Sequence, residues 1–98
     1  MNIKNKGKYE IVLLSTKGCI GCSIMDDIIT KALKESSKTI KYTILDVRSD
    51  ERGSKMAKEL NVKDFPTIVF ISNGIIKYHY TGNMPVAVIV RWIDIHLV

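Results

Sequence analysis

The chain has 98 residues, 46% of them hydrophobic and 26% charged, with a formal net charge of +5 and two cysteines. Those figures fit one globular domain over residues 1–98, large enough for a single hydrophobic core. They exclude a membrane-spanning chain, because the longest apolar runs, IVLL at 11–14 and TIVFI at 67–71, fall far short of roughly 18 residues.

Residues 1–8 form a basic arm carrying Lys4, Lys6 and Lys8. The apolar run behind the arm is too short for a signal-peptide core, and no cleavage-site pattern follows, so the chain reads as cytoplasmic. Thiols are kept reduced in that compartment, which argues against a purely structural disulfide. The remaining charges are scattered in both signs rather than gathered on one face with aromatics between them. No nucleic-acid partner is therefore expected. The basic surface favours acidic partners.

Residues 9–15, YEIVLLS, contain an apolar run of strand length, as in a strand buried on both faces. The two cysteines follow at once, three positions apart, in TKGCIGC. Met25, Ile28, Ile29, Ala32 and Leu33 then recur at helical spacing in phase with Cys22, giving a helix from about Cys19 to Lys34. Residues 40–47, IKYTILDV, are rich in β-branched side chains and read as a second strand.

Ser49 or Asp50 can cap the next helix, which carries Met56, Ala57 and Leu60 on one face. That helix must end before Phe65, because Pro66 disfavours a helical residue ahead of it. A third strand covers 67–72, Asn73-Gly74 signals a tight hairpin, and a fourth strand returns over 75–80. Gly82 breaks the pattern and Pro85 suits the start of a helix. The last helix carries an apolar stripe of Val86, Ile89, Val90, Ile93 and Leu97, with Trp92 to one side. The order is β-α-β-α-β-β-α, an α/β fold whose four-stranded mixed sheet is flanked by three helices. No apolar stripe is left over once the sheet is covered, so a monomer is expected.

The cysteine pair sits where a buried strand gives way to a helix. There the first backbone N–H groups are unpaired and the helix dipole adds positive charge, both favouring a thiolate at Cys19. Lys17 is close enough in sequence to add to this. Cys22 falls about one turn further on, on the apolar face. An accessible sulfur beside a shielded one suits two-step exchange: Cys19 attacks a substrate disulfide, and Cys22 then resolves the mixed disulfide.

These features together, IVLLSTKGCIGC, then FPT at 65–67, then the Asn-Gly hairpin and the Gly82-plus-helix ending, resemble the thioredoxin superfamily over roughly residues 9–98. The resemblance implies the thioredoxin-like fold, a cis Phe65–Pro66 bond facing the cysteines, and a Phe65 backbone that pairs with an extended substrate. Phe65, Pro66 and Thr67, with Ile20 and Gly21 between the cysteines, are the implied substrate-binding residues. Three departures stand out. Gly18 and Gly21 occupy places where thioredoxins usually have Trp and Pro. Leu13 stands where they have a buried acid that takes the proton of the second cysteine. The extra N-terminal strand and helix are lacking, as is the glutathione-binding Gly-Gly-x-Asp of glutaredoxins, for which the chain reads TGNMP at 81–85. Asp46, at the end of the second strand, is a candidate for proton transfer but better suited to capping.

The expected function is reduction of protein disulfides through the Cys19/Cys22 dithiol, needing no cofactor beyond that dithiol and drawing electrons from a reductase or glutathione. Oxidation or isomerisation is the less favoured direction. One alternative is a metal-binding module, for which His79 and His96 are the only further soft ligands and show no ligand spacing. Another is a non-catalytic interaction domain, since a fold does not by itself establish activity.

Overall fold

The computed structural model describes residues 8–98; Lys4 and Lys6 of the basic arm lie outside them. The elements follow as β1 (Tyr9–Ser15), α1 (Ile20–Glu35), β2 (Ile40–Asp46), α2 (Glu51–Glu59), β3 (Thr67–Ser72), β4 (Ile75–Thr81) and α3 (Val86–His96). The strands form one mixed sheet in the order β2-β1-β3-β4, with β1 parallel to β2 and the other two pairings antiparallel. This is the expected thioredoxin-like arrangement. Among the described residues no helix is long and apolar enough to cross a membrane.

The alternation of side chains along β1 and β3 divides the interior into two layers. Ile11, Leu13, Ile68 and Phe70 point to one face, where they meet Met25 and Ile29 of α1 and Ile89 and Ile93 of α3. Val12, Leu14, Val69 and Ile71 point to the other, against Met56 and Ala57 of α2. Because β1 and β3 are central and covered on both sides, their sequences are continuous apolar runs. Each fully buried Ile, Leu or Phe contributes roughly 1.5–3 kcal/mol of transfer free energy.

Several boundaries shift by one residue from expectation, two of them for a visible reason. Helix α1 begins at Ile20 because Cys19 is its N-cap, in extended conformation. Strand β2 stops at Asp46 because that carboxylate accepts the backbone N–H groups of Arg48 (2.8 Å) and Ser49 (3.2 Å), turning the chain. Asp46 therefore serves the turn into α2. Of the two candidate caps for α2, Asp50 is the one used, accepting from the Gly53 N–H at 2.9 Å.

Helix α2 packs closely enough on β2 that a side chain at position 53 would be crowded. A Cβ on Gly53 would lie 3.0 Å from Leu45 Cβ and 3.3 Å from the Asp46 carbonyl oxygen. Alanine is a better helix former by about 1 kcal/mol. The clash is with backbone and a Cβ, neither of which can swing aside. Gly53→Ala is thus expected to lower stability by about 1–3 kcal/mol, read from the denaturant midpoint; an unchanged or raised midpoint would contradict the packing described.

Among the described residues Glu10 is the one acid buried in the sheet, 8% exposed. Arg52 of α2 holds it through two bonds, Nη2 to Oε1 at 2.8 Å and Nη1 to Oε2 at 3.1 Å, and the Thr43 hydroxyl donates to Oε2 at 2.9 Å. The Arg52 guanidinium holds the Glu10 carboxyl below its ordinary value of 4.5, with burial opposing and Thr43 assisting. A carboxyl lowered on folding adds stability that is fully present above its unfolded value and lost as the pH falls through its folded one. Glu10→Gln is expected to be less stable than wild type at neutral pH. The difference should shrink as urea midpoints are followed downward from about pH 4.5.

Candidate active site

Residues 16–19 turn the chain from β1 into α1. Gly18 adopts φ +79°, and a Cβ there would meet nothing within 4 Å, so the backbone angle rather than space favours glycine. Glycine in place of the family's usual tryptophan fits that angle. At the N-cap, Cys19 Sγ accepts the Cys22 N–H at 3.1 Å. An amide of the first helical turn thus points at the Cys19 sulfur, the arrangement that stabilises a thiolate once the pair is reduced. Cys19 and Cys22 are joined as a disulfide with their Cα atoms 5.3 Å apart. Cys19 is half-buried, whereas Cys22 is only 4% exposed, on the core side of α1.

Two segments converge on Gly21 of α1. The Phe65–Pro66 bond is cis, and Pro66 Cδ lies 3.4 Å from where a Gly21 Cβ would be. From the loop between β4 and α3, Asn83 Nδ2 donates to the Gly21 carbonyl at 2.9 Å. That loop is tied in turn to the proline, since the Gly82 N–H donates to Pro66 O at 2.8 Å. The structure therefore brings Gly21 and Pro66 together beside the cysteines. Ile20, 78% exposed, stands outward next to Cys19.

Phe65 and Thr67 are placed differently. The half-buried Phe65 side chain packs with the α2-side core. Thr67 is fully buried and its hydroxyl is spent internally, donating to Asp64 O (2.9 Å) and paired with Thr81 Oγ1 (2.7 Å). Thr67 thus fixes the proline loop. Lys17 is exposed. His79 lies on β4, and His96 is stacked face to face on Tyr78 with ring centroids 4.3 Å apart.

Sequence reasoning passed over two residues. Asn83 bridges 62 positions and has no local signal beyond following Gly82, itself at φ +118°. Asp26 lines an open cleft of about 420 Å³ beside the disulfide, together with Leu13, Cys19 and Cys22. Its position four residues after Cys22 was a usable signal, because such residues share a helix face. The Tyr42 hydroxyl donates to Asp26 Oδ1 at 2.8 Å.

The family model described as thioredoxin matches residues 1–95. The chain belongs to the thioredoxin family. No curated protein matches it. Among solved structures it is similar to a thioredoxin-2 described as a component of malaria parasite protein secretion machinery, at 19% identity and TM-score 0.76, covering 91% of this chain and 84% of that one. It is also similar to thioredoxin O2 of Arabidopsis thaliana in its oxidised state, at 16% identity and TM-score 0.71, covering 94% and 78%. A mutant thioredoxin of Halobacterium salinarum gives a TM-score of 0.79 at 12% identity, covering 98% and 80%. At these identities the likeness is one of fold. Thioredoxin-family proteins are disulfide oxidoreductases, and this member carries the CxxC pair at disulfide distance.

Proposed function

We propose that this chain reduces protein disulfides, with Cys19 as nucleophile and Cys22 as resolving thiol. The observation that carries the reading is the asymmetry of the pair. One sulfur is reachable and receives a first-turn amide, while the other is shielded one turn along the same helix. In the reduced protein the Cys19 thiolate attacks a substrate disulfide and expels one substrate thiolate. Cys22 then attacks the Cys19 sulfur, releasing the second substrate thiolate and leaving the Cys19–Cys22 disulfide. Two electrons pass from the dithiol to the substrate.

An extended substrate segment lies along the Pro66 loop, with Ile20 and Gly21 forming the near wall and Ile20 offering apolar contact. The protein acts as a monomer in a reducing compartment, where an external dithiol protein or glutathione returns it to the dithiol form. Catalysis needs no metal or bound cofactor. The test is reduction of insulin disulfides by excess dithiothreitol with and without the protein. Acceleration that saturates with insulin is expected; a rate equal to dithiothreitol alone would overturn the reading.

A further inference from the structure

Resolution requires Cys22 to lose a proton, and its surroundings resist this. At 4% exposure the thiol is shielded from water, which disfavours the thiolate. A residue that takes the proton must reach into the space beside Cys22. Leu13, on β1, borders that space but cannot do so.

We propose that Asp26 accepts the proton of Cys22, with Tyr42 as the positioning residue that aims its carboxylate. The proposal rests on the disulfide-reducing reading above. Asp26 follows Cys22 by four residues on α1, so the two side chains share one helix face with Cβ atoms about 6 Å apart. Both line the same cleft. Its volume of about 420 Å³ admits water. A proton can cross from Sγ to the carboxylate directly or through one such molecule.

Competing groups are few. Among the described residues that line the cleft, Asp26 is the only titratable one apart from the two cysteines; β1 and the turn after it contribute Leu13, Ser15 and Thr16, and β2 contributes Ile44. Behind the cleft, β2 supplies Tyr42, whose hydroxyl holds Asp26 Oδ1 at 2.8 Å. Burial, then the Asp26 carboxylate, push the Tyr42 phenol far above its ordinary value, so it keeps its proton and stays a fixed donor. Neighbouring Asp27 is paired instead with Lys31 at 3.1 Å. Glu10 points to the other face of the sheet with Arg52, and Asp46 is engaged with the Arg48 and Ser49 amides.

The proton balance closes. Cys22 gives its proton to the Asp26 carboxylate, its thiolate bonds to Cys19 Sγ, and the S–S bond to the substrate breaks. The proton then leaves through the cleft to the departing substrate thiolate or to solvent. Asp26 thus holds the proton only in transit.

The experiment mixes reduced protein with excess oxidised glutathione, quenches in acid at intervals, and counts the Cys19–glutathione mixed disulfide by mass. Formation and resolution are thereby timed separately, in wild type, Asp26→Asn, Asp26→Glu and Tyr42→Phe. Asp26→Asn is expected to form the mixed disulfide at the wild-type rate and to resolve it about 100-fold more slowly at neutral pH. The defect should narrow as the pH is raised into the alkaline range, where hydroxide takes over removal of the thiol proton. Asp26→Glu restores most of the resolution rate, and Tyr42→Phe slows the same step by a smaller factor. Equal resolution in wild type and Asp26→Asn at neutral pH overturns the role of Asp26 and leaves the disulfide-reducing reading intact. A wild type that forms neither the mixed disulfide nor the Cys19–Cys22 disulfide overturns both.

Discussion

Cys19→Ser is expected to bring disulfide reduction down to the rate of the external reductant alone, a loss of more than about 1000-fold. Serine keeps the cap geometry, since an oxygen there also accepts the Cys22 N–H. What it removes is a nucleophile able to ionise near neutral pH. Loss of activity would therefore come without loss of fold, and the melting temperature of the reduced variant should stay close to that of the reduced wild type. Cys22→Ser gives the opposite chemical result. Its Cys19 still attacks, but nothing inside the protein resolves the product, so substrates remain attached through Cys19 and can be identified by mass. A Cys19→Ser protein with full turnover would sink the two-step scheme.

Phe70→Ala is expected to have the largest effect on stability. The ring is fully buried in the centre of β3, on the face covered by α1 and α3. It meets Trp92 edge-on at 6.2 Å and lies 6.2 Å from Tyr78 and 5.9 Å from His96. Truncation removes these contacts and leaves a cavity that the covered sheet cannot readily close. A loss of about 3–5 kcal/mol is expected, against a total of roughly 5–15 kcal/mol for a native domain. In a chain of this size that corresponds to a drop in melting temperature of roughly 12 °C or more. Ile75→Ala makes the control, because Ile75 is 63% exposed on edge strand β4; its change should stay within about 0.5 kcal/mol. Similar midpoints for the two variants would contradict the central placement of Phe70.

Much of this fold was legible because its elements carry local signals. The runs 11–14 and 67–71 announced strands covered on both faces, and Asn73-Gly74 produced the hairpin, with Asn73 at φ +53° and Gly74 at +79°. The phase shared by Cys22, Met25, Ile29 and Ala32 announced the buried face of α1. The long-range polar contacts that assemble the site and tie α2 to the sheet were not legible in the same way. Tyr42 meets Asp26 across 16 positions, Arg52 meets Glu10 across 42, and Asn83 meets Gly21 across 62. Each is a polar pairing between residue types that are ordinary on a surface. Only the packing of α1, α2 and the β4–α3 loop against the sheet makes them specific. Thr67 shows the reverse case. Its place in the FPT motif suggested substrate contact, while its buried hydroxyl is fully used inside the protein.

Leu13 illustrates how a departure from a family pattern can point elsewhere in the same cleft. The strand position that would carry an acid is apolar, and an acid appears instead on the facing helix, at Asp26. Burial of Leu13 strengthens the core beneath the cysteines, and the carboxylate sits where Tyr42 can hold it.

In the function proposed, Cys19 and Cys22 form a redox-active pair that works as a reductant. A redox titration of the metal-free protein against dithiol and glutathione buffers, following the disulfide by mass shift, tests this most directly. A reversible two-electron transition at or below about −230 mV is predicted. A pair that never closes into an intramolecular disulfide across the range, or one that closes only near about −150 mV, would contradict it.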